Sequence, residues 1–367
     1  MIHIDGNHKE GGGQIARTAL AFSTITQIPF EVDKIRQGRK DAGLKPQHLF
    51  CIKALEKLCD AKAEGAEFGS SKLKYEPGKI KGQVINVDIG TAGSISLLMQ
   101  SLLLPCFFAD KRVKLNLKGG TNTKWSMPIE YFQEVFVPYI SKFCEKIDVK
   151  LIKRGYFPKG GGEVEITIKP KFKLADYPDF KTFLEEIRKQ NLGINSTEQC
   201  NLIQIKGVSH ASKFLEKAQV ADRQAKAAKF LLGKYEVPVN IRIEYCDTHS
   251  PGSGITLWAV FSKDKEDLDL INPIILGASS LGERGKPSEK VGEEAAKELI
   301  KQIELKAPID HHMADNLIPW MALFCPSKIK VSEVTDHTRT NIYVVEQFLG
   351  KIFEIDEENK IISTKLC

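Results

Sequence analysis

Apolar positions along the chain fall into a recurring order of elements. A glycine-rich or polar loop leads into an apolar helix; a strand follows, then a second polar loop, then an amphipathic helix. EGGGQ, IARTALAFSTIT, PFEVDKI, RQGRKDAGLKPQH and LFCIKALEKLC make the first set. GTAGS, ISLLMQSLLLPCFFA, VKLNL, KGGTNTKWSMP and IEYFQEVFVPYISKFC make the second. HHMADN, LIPWMALF, KIKVSEV, TDHTRT and NIYVVEQFLG make the third. Residue identities differ while the order persists, which is the mark of a fold built from copies of one unit.

The second set runs on into LIKRGYFPKGGGEVEITIKP, a glycine-rich hairpin closing a strand. A segment of different character follows: strand-like LIQIKGV, the helix FLEKAQVADRQAKAAKFLL, strands VNIRIEYC, ITLWAVF and PIILGASS, and the long exposed helix PSEKVGEEAAKELIKQIEL. Four strands and two helices suffice for a separate core. The pattern therefore predicts an inserted smaller α/β domain over 182–306 and a discontinuous large domain over 1–181 and 307–367. The polar stretch YPDFKTFLEEIRKQNLGINSTE, which precedes these strands, reads as linking or helical.

With 367 residues, 42% of them hydrophobic and 27% charged, the chain can bury two cores and is neither disordered nor fibrous. A net charge of +6 permits an anionic ligand without demanding one. Ile89 to Ala109 is uncharged and long enough to span a bilayer, but its Thr91, Ser94, Ser96, Gln100, Ser101 and Pro105 predict a loop and a buried helix, and no membrane partner. The N-terminal segment has no basic-then-apolar signal, so a cytoplasmic location is expected. The eight scattered cysteines suit reduced, mostly buried thiols and form no C-x-x-C pair, with a disulfide left open for a thermophilic source.

The polar loops carry the candidate chemistry. Gly11, Gly12 and Gly13 before a helix let backbone N–H groups approach an anion, although three glycines equally suit a tight turn. Glu10 and Arg17 on either side supply the two signs of charge that a metal–phosphate pair needs. Arg36, Arg39, Lys40 and Lys45, with Gln47 and His48, crowd a glycine-broken loop where guanidinium forks can grip phosphate; a solvated basic loop is the plain alternative. Asp315 and His337 stand in the loops of the third set. If the sets pack together these loops meet, and a neutral imidazole beside arginines can attack phosphorus. His311, His312 and His337 have no spacing that argues for a metal site.

EGGGQIARTAL, IRQGRKDAGLKPQHL, IGTAGS, GTNTKWSMP, RGYFPKGGGEV, GERGKPSE and DHTRTNIYVVEQFLG occur in an order that covers nearly the whole chain. As an ordered set they resemble the RNA 3′-terminal phosphate cyclases. The resemblance implies a mixed α/β fold of three units, each two helices on a four-stranded sheet, plus the inserted domain. It also implies ATP-dependent conversion of an RNA 3′-phosphate to a 2′,3′-cyclic phosphate through a covalent histidine–AMP and an RNA adenylate. His337 then matches the nucleophile, Glu10 the ligand of a divalent metal (Mg or Mn), and Arg17, Arg39 and Asp315 further catalytic positions. Gln14, Arg36, Arg39, Gln47 and His48 match positions that bind the RNA end or its phosphate. Gln100, Pro128 and the stretch His312, Met313, Ala314, Asp315 and Asn316 match positions that bind ATP.

Departures fall on the adenine side. Many relatives carry an aromatic residue where His312 stands and Gln where Asn316 stands, and Met127 replaces one of two prolines, leaving Pro128. Trp125 is a candidate stacking residue or an ordinary loop aromatic. A cyclase-like RNA-binding ribosome-assembly factor is the alternative within the fold, but such proteins lack the histidine retained here as His337. An enolpyruvyl transferase would share only the architecture, which is a poor warrant for function.

Overall fold

The computed structural model describes residues 1–9, 12–264 and 269–365, and resolves the chain into mixed α+β architecture with four four-stranded sheets. The first is built from β1 (Ile2–Asp5), α1 (Gly13–Thr26), β2 (Phe30–Asp33), α2 (Pro46–Cys59), β3 (Lys62–Glu64) and β4 (Leu73–Glu76), in strand order β1-β2-β4-β3. The second takes β5 (Val84–Asp88), α3 (Ile95–Phe107), β6 (Val113–Gly119), β7 (Cys144–Lys153) and β8 (Gly162–Pro170), in order β5-β6-β8-β7. In each, the outer pair is parallel and joined by a helix, and the other pairings are antiparallel.

The helical run between β6 and β7 is broken. α4 (Ile129–Tyr131) passes into a π turn at Phe132–Phe136, then α5 (Val137–Ile140). Pro138 has no N–H to return to the preceding turn, and Val137 N donates instead to the Phe132 carbonyl, five residues back. The stretch read as linking or helical contains α6 (Phe180–Lys189), which seats Phe183 edge-on against Phe108.

The third sheet begins with β9 (Asn195–Ser196) and is then interrupted. The intervening segment holds β10 (Asn201–Ser212), α7 (Val220–Leu232), β11 (Val239–Cys246), β12 (Ser253–Ser262), β13 (Ile274–Leu281) and α8 (Ser288–Glu304), with sheet order β11-β10-β12-β13. Helix α7 starts later than the apolar pattern suggests: Lys213–Ala218 is a 3₁₀ turn, and Gln219 at φ +50 separates it from the helix. Ile205, Leu257, Leu276, Ala295 and Leu299 form a core of this segment's own. The chain then returns through α9 (His311–Leu323), β14 (Lys328–Lys330), α10 (Asp336–Leu349), β15 (Phe353–Asp356) and β16 (Ile361–Thr364), giving order β9-β14-β16-β15.

Helix α1 is the hub. Every one of its fourteen residues is buried, so it packs on all sides. It lies against α2, α3 and α10, and α10 lies against α9. Helix α3, the second half of the uncharged stretch, is nearly as buried, and among the described residues no helix is long and apolar enough to cross a membrane. Cys51, Cys59, Cys106 and Cys144 are buried thiols and Cys200 and Cys246 partly buried ones. Cys325 departs from the expected reduced set, being disulfide-bonded; spacing along a chain says nothing of what folding brings near. Cys367 lies outside the described residues.

The inserted segment is fastened through a buried charge. Arg154, just past β7 and 2% exposed, binds Glu130 of α4 and Glu244 of β11, the latter at 2.6 Å. Burial disfavours the guanidinium charge, but the two carboxylates raise its pKa above the ordinary value. Beside it, buried His210 of β10 lies 2.7 Å from the Tyr156 hydroxyl and 3.2 Å from Asn122 Nδ2. Removing the cation strands Glu130 in the interior. Arg154→Ala is therefore expected to cost about 3–5 kcal/mol in urea unfolding followed by circular dichroism. Arg154→Met with Glu130→Leu should recover most of it; an Ala variant within 1 kcal/mol of the parent (roughly the value of an exposed pair) would show the cluster to be incidental.

Candidate active site

Four helices aim their N-terminal ends at one cleft of about 570 Å³. Gly12 and Gly13 open α1, Pro46 and Gln47 open α2, Gly93 and Leu97 flank the start of α3, and His337 sits in the first turn of α10. The N-cap of α1 is Gly12, with no side chain to cap it, so its first N–H groups remain donors for a ligand. Arg17, Arg36, Arg39, Lys45 and Lys124 also line the cleft, and no carboxylate does among the described residues. Helix dipoles and five cations thus give one field sign, which suits a polyanion.

The sequence brings the loops together by short polar links. Gly38 N donates to Asn7 Oδ1 (2.9 Å), His8 stacks on Tyr343 of α10 (3.8 Å between ring centres), and Lys9 lies 3.6 Å from Asp336. Glu10 and Gly11, between these contacts and α1, lie outside the described residues. Among the described residues no cluster of three or more metal-ligating side chains occurs.

Polar side chains on the first turns of α1 tie the site to its neighbours. Gln14 Oε1 lies 2.5 Å from His337 Nδ1, while Gln14 Nε2 donates to Asp315 Oδ2 (3.2 Å) and to the His337 carbonyl (3.4 Å). With the amide nitrogen committed to two acceptors, the oxygen must accept from Nδ1–H. In the neutral ring the lone pair then resides on Nε2. Arg17 Nε donates to Gln100 Oε1 of α3 (2.8 Å), and Gln100 Nε2 to Asn316 Oδ1 of α9 (3.1 Å). Thr18 donates to Asn341 Oδ1 (2.7 Å), and Asn341 Nδ2 to the Asp315 carbonyl (2.7 Å). Gln14, Arg17, Gln100, Asp315, Asn316 and His337 thus form one connected set.

His48 and Arg17 make the inner corner. His48 is fully buried, and its Nδ1 accepts from Lys45 N at 2.9 Å. Burial, then Arg17, Arg36 and Lys45, drive its pKa well below the ordinary range. It is a neutral ring whose Nε2–H faces Arg17 NH1 at 3.5 Å, two donors converging where an anion oxygen would satisfy both. Burial also lowers Arg17 to about 10, still charged at neutral pH. Gly13 is required by this approach: a Cβ there would stand 2.1 Å from His48 Nε2.

Other expected residues lie elsewhere. Met313 and Ala314 are fully buried in the core, and Pro128 is buried at the start of α4. His312 is exposed, in contact with His311 and edge-on to Tyr131. Gln100, Met127, Asp315 and Asn316 instead line a second cavity of about 40 Å³, room for a water or two and not for a purine, with Gln14 in the lining of both spaces. Asn341 joins the set without a sequence signal, since its burial and its partners Thr18 and Asp315 are tertiary facts.

Asp315 keeps part of its surface on the cavity, yet desolvation raises its pKa to about 7 against the Gln14 and Arg17 interactions that lower it. The folded protein then holds a proton there that the unfolded chain has already lost. Stability should fall as pH rises from the ordinary carboxylate range to about 7, by up to about 1.4 kcal/mol per pH unit, and level off above. Asp315→Asn is expected to flatten this slope in melting curves taken across that window; an unchanged slope would place the titration elsewhere.

Residues 8–355 match the family model described as RNA 3′-terminal phosphate cyclase. Curated proteins of that name are similar over nearly their whole length. One from Pyrococcus furiosus is 43% identical over 355 residues, covering 97% of this chain and 95% of the relative. One from Pyrococcus abyssi is 42% identical, covering 98% and 96%, and one from Methanosarcina acetivorans is 41% identical, covering both chains completely. Similarity of this depth, spread over every element that builds the cleft, makes the chain a member of the RNA 3′-terminal phosphate cyclase family.

Proposed function

We propose that this chain converts RNA 3′-terminal phosphates to 2′,3′-cyclic phosphates at the expense of ATP, with His337 as a transient carrier of AMP. The observation that carries the proposal is the Gln14–His337 contact in the lining of a cleft whose formally charged side chains, among the described residues, are all Arg or Lys. It presents a tautomerically defined imidazole to a site suited to phosphates.

In the first step His337 Nε2 attacks the α-phosphorus of ATP. The N–P bond forms, the bond from that phosphorus to the β-bridging oxygen breaks, and pyrophosphate leaves. The N–H groups opening α1 and the donors of Arg17 and His48 neutralise charge on the phosphates. The adenosine end extends toward Gln100, Asn316 and Met127, at the mouth of the small cavity. The RNA 3′-phosphate, gripped by Arg36, Arg39 and Gln47, next displaces His337 from phosphorus. The adjacent 2′-OH then attacks the activated phosphate, loses its proton and expels AMP, closing the ring. Positioning and charge stabilisation supply most of the catalysis. A divalent cation would bind chiefly to triphosphate oxygens, with Glu10 the expected carboxylate and its charge-neutralising chemistry added to that of the arginines.

The three sheets of common strand order are read as three copies of one unit; because β9 pairs with β14 and Phe183, Ile187 and Ile194 join the main core, the insert is read as starting after Ser196 and not at 182, and as ending near 306. On this reading the first copy contributes Gly13, Gln14, Arg17 and the arginine loop, the second Gln100, and the third Asp315 and His337.

His337→Ala is expected to abolish covalent label from α-labelled ATP, and cyclisation from ATP with it. It should still close RNA whose 3′-phosphate already carries AMP, because proximity of the 2′-OH supplies much of that step. Label retained in the variant would refute the nucleophile. Arg39→Ala is expected to raise KM for RNA at least about tenfold, the effect of losing a charge-assisted phosphate contact. Lys40→Ala, on the same loop but outside the cleft lining, should leave KM within about twofold. Equal effects would reduce the loop to a diffuse basic face.

A further inference from the structure

The inference concerns Trp125, which stands on the rim of the cationic cleft and is 94% exposed. Exposure alone argues little, since Phe68, Phe157, Phe214 and Phe230 are also largely exposed. Three further facts single Trp125 out.

It lines the same cleft as Arg36, Arg39 and Gln47, whereas the second cavity, at Gln100 and Asn316, does not include it. Its backbone is left-handed, φ +60, a costly conformation for a bulky side chain that persists only where the surroundings enforce it. Those surroundings are present. The Thr123 and Ser126 hydroxyls lie 2.8 Å apart, and Ser126 Oγ donates to the Thr123 carbonyl (3.1 Å), closing a tight turn around Trp125. Lys124 Nζ lies 3.0 Å from Glu283 Oε1, bracing the turn against the GERGK loop of the inserted segment. At the base of the turn, Thr121 N donates to the Gly155 carbonyl (3.0 Å) and Gly155 N to Thr121 Oγ1 (3.1 Å). A loop that needed only to connect β6 to α4 has no use for a strained, solvent-facing indole.

We propose that Trp125 is a stacking platform for a base near the 3′ end of the RNA, on the 5′ side of the phosphate held by the arginines. This rests on the RNA 3′-phosphate occupying the cleft, as proposed above. An indole face accepts any base, so the platform selects for an unpaired 3′ tail and not for sequence. A blunt duplex end, with its terminal bases stacked on each other, cannot use it.

Tryptophan fluorescence tests this directly, because Trp258 and Trp320 are buried. Binding of a short single-stranded oligoribonucleotide ending in a 3′-phosphate is expected to quench the emission. ATP alone should leave it unchanged. Trp125→Phe should abolish the quench and keep binding within a few-fold. Trp125→Ala should raise KM for the oligonucleotide about tenfold, without altering covalent labelling by ATP or KM for a nucleoside 3′-monophosphate. An abasic residue scanned along the oligonucleotide should weaken the parent at one position and the Ala variant at none. The same variant should lose the parent's preference for a 3′ overhang over a blunt duplex. Tight oligonucleotide binding with unquenched emission, or an Ala variant with unchanged KM, would overturn the platform and leave the cyclase reading intact. Quenching by ATP that Trp125→Phe abolishes would assign Trp125 to the nucleotide; quenching that survives in that variant would come from Trp320, which lines the small cavity. Failure of the parent to bind any 3′-phosphorylated RNA would overturn both.

Discussion

The site depends on the burial of polar groups at the start of α1. Gln14, Arg17 and Thr18 belong to a helix buried on every side, so each must find a hydrogen-bonding partner or impose a desolvation cost. Their partners come from three other helices: Gln100 on α3, Asp315 on α9, and His337 and Asn341 on α10. Satisfying those three side chains fixes how the helices meet. The arrangement of Gln14, Arg17, Asp315 and His337 is thus a consequence of core packing.

The same arrangement would let one small region take the two anionic ends that the proposed reaction brings together. Helix N-termini and arginines face the open cleft, where charge on phosphate is welcome and water can still screen it. Behind Gln14 the surroundings turn apolar, and Asp315, partly exposed there, has its pKa raised to about 7 by desolvation. Gln14 stands in the lining of both spaces. His337 lines the cleft and meets Gln14, which places the proposed carrier of AMP next to the residue that the two spaces share.

The inserted segment is not a loose appendage. Arg154 binds carboxylates from α4 and β11, and Asp310, which caps α9, accepts hydrogen bonds from Tyr131 and from Gly277 N of β13. These contacts bear on α9 and on the turn that carries Trp125. A segment without a chemical motif of its own can therefore shape the site by bracing the elements that form it.

Much of this was written locally. Apolar periodicity marked most helices and strands, and the glycine and arginine loops marked the cleft, because helix starts, turns and charge clusters are short-range features. The motif order from EGGGQIARTAL to DHTRTNIYVVEQFLG was enough to indicate the family. What the sequence could not supply was the environment each side chain would meet. Gln14 read as a phosphate ligand, yet its amide is spent on His337 and Asp315. Met313, Ala314 and Pro128 sit in motifs that match ATP-binding positions, yet their side chains are buried, because a helix that lines a site turns most of its residues to the core. Arg154 and Asn341 had no sequence signature strong enough to reveal their roles, and Trp125, legible either as a stacking residue or as an ordinary loop aromatic, is singled out only by its left-handed, braced turn. Hydrogen-bond partners, desolvation and exposure are set by residues hundreds of positions away, and only the packed structure brings those together.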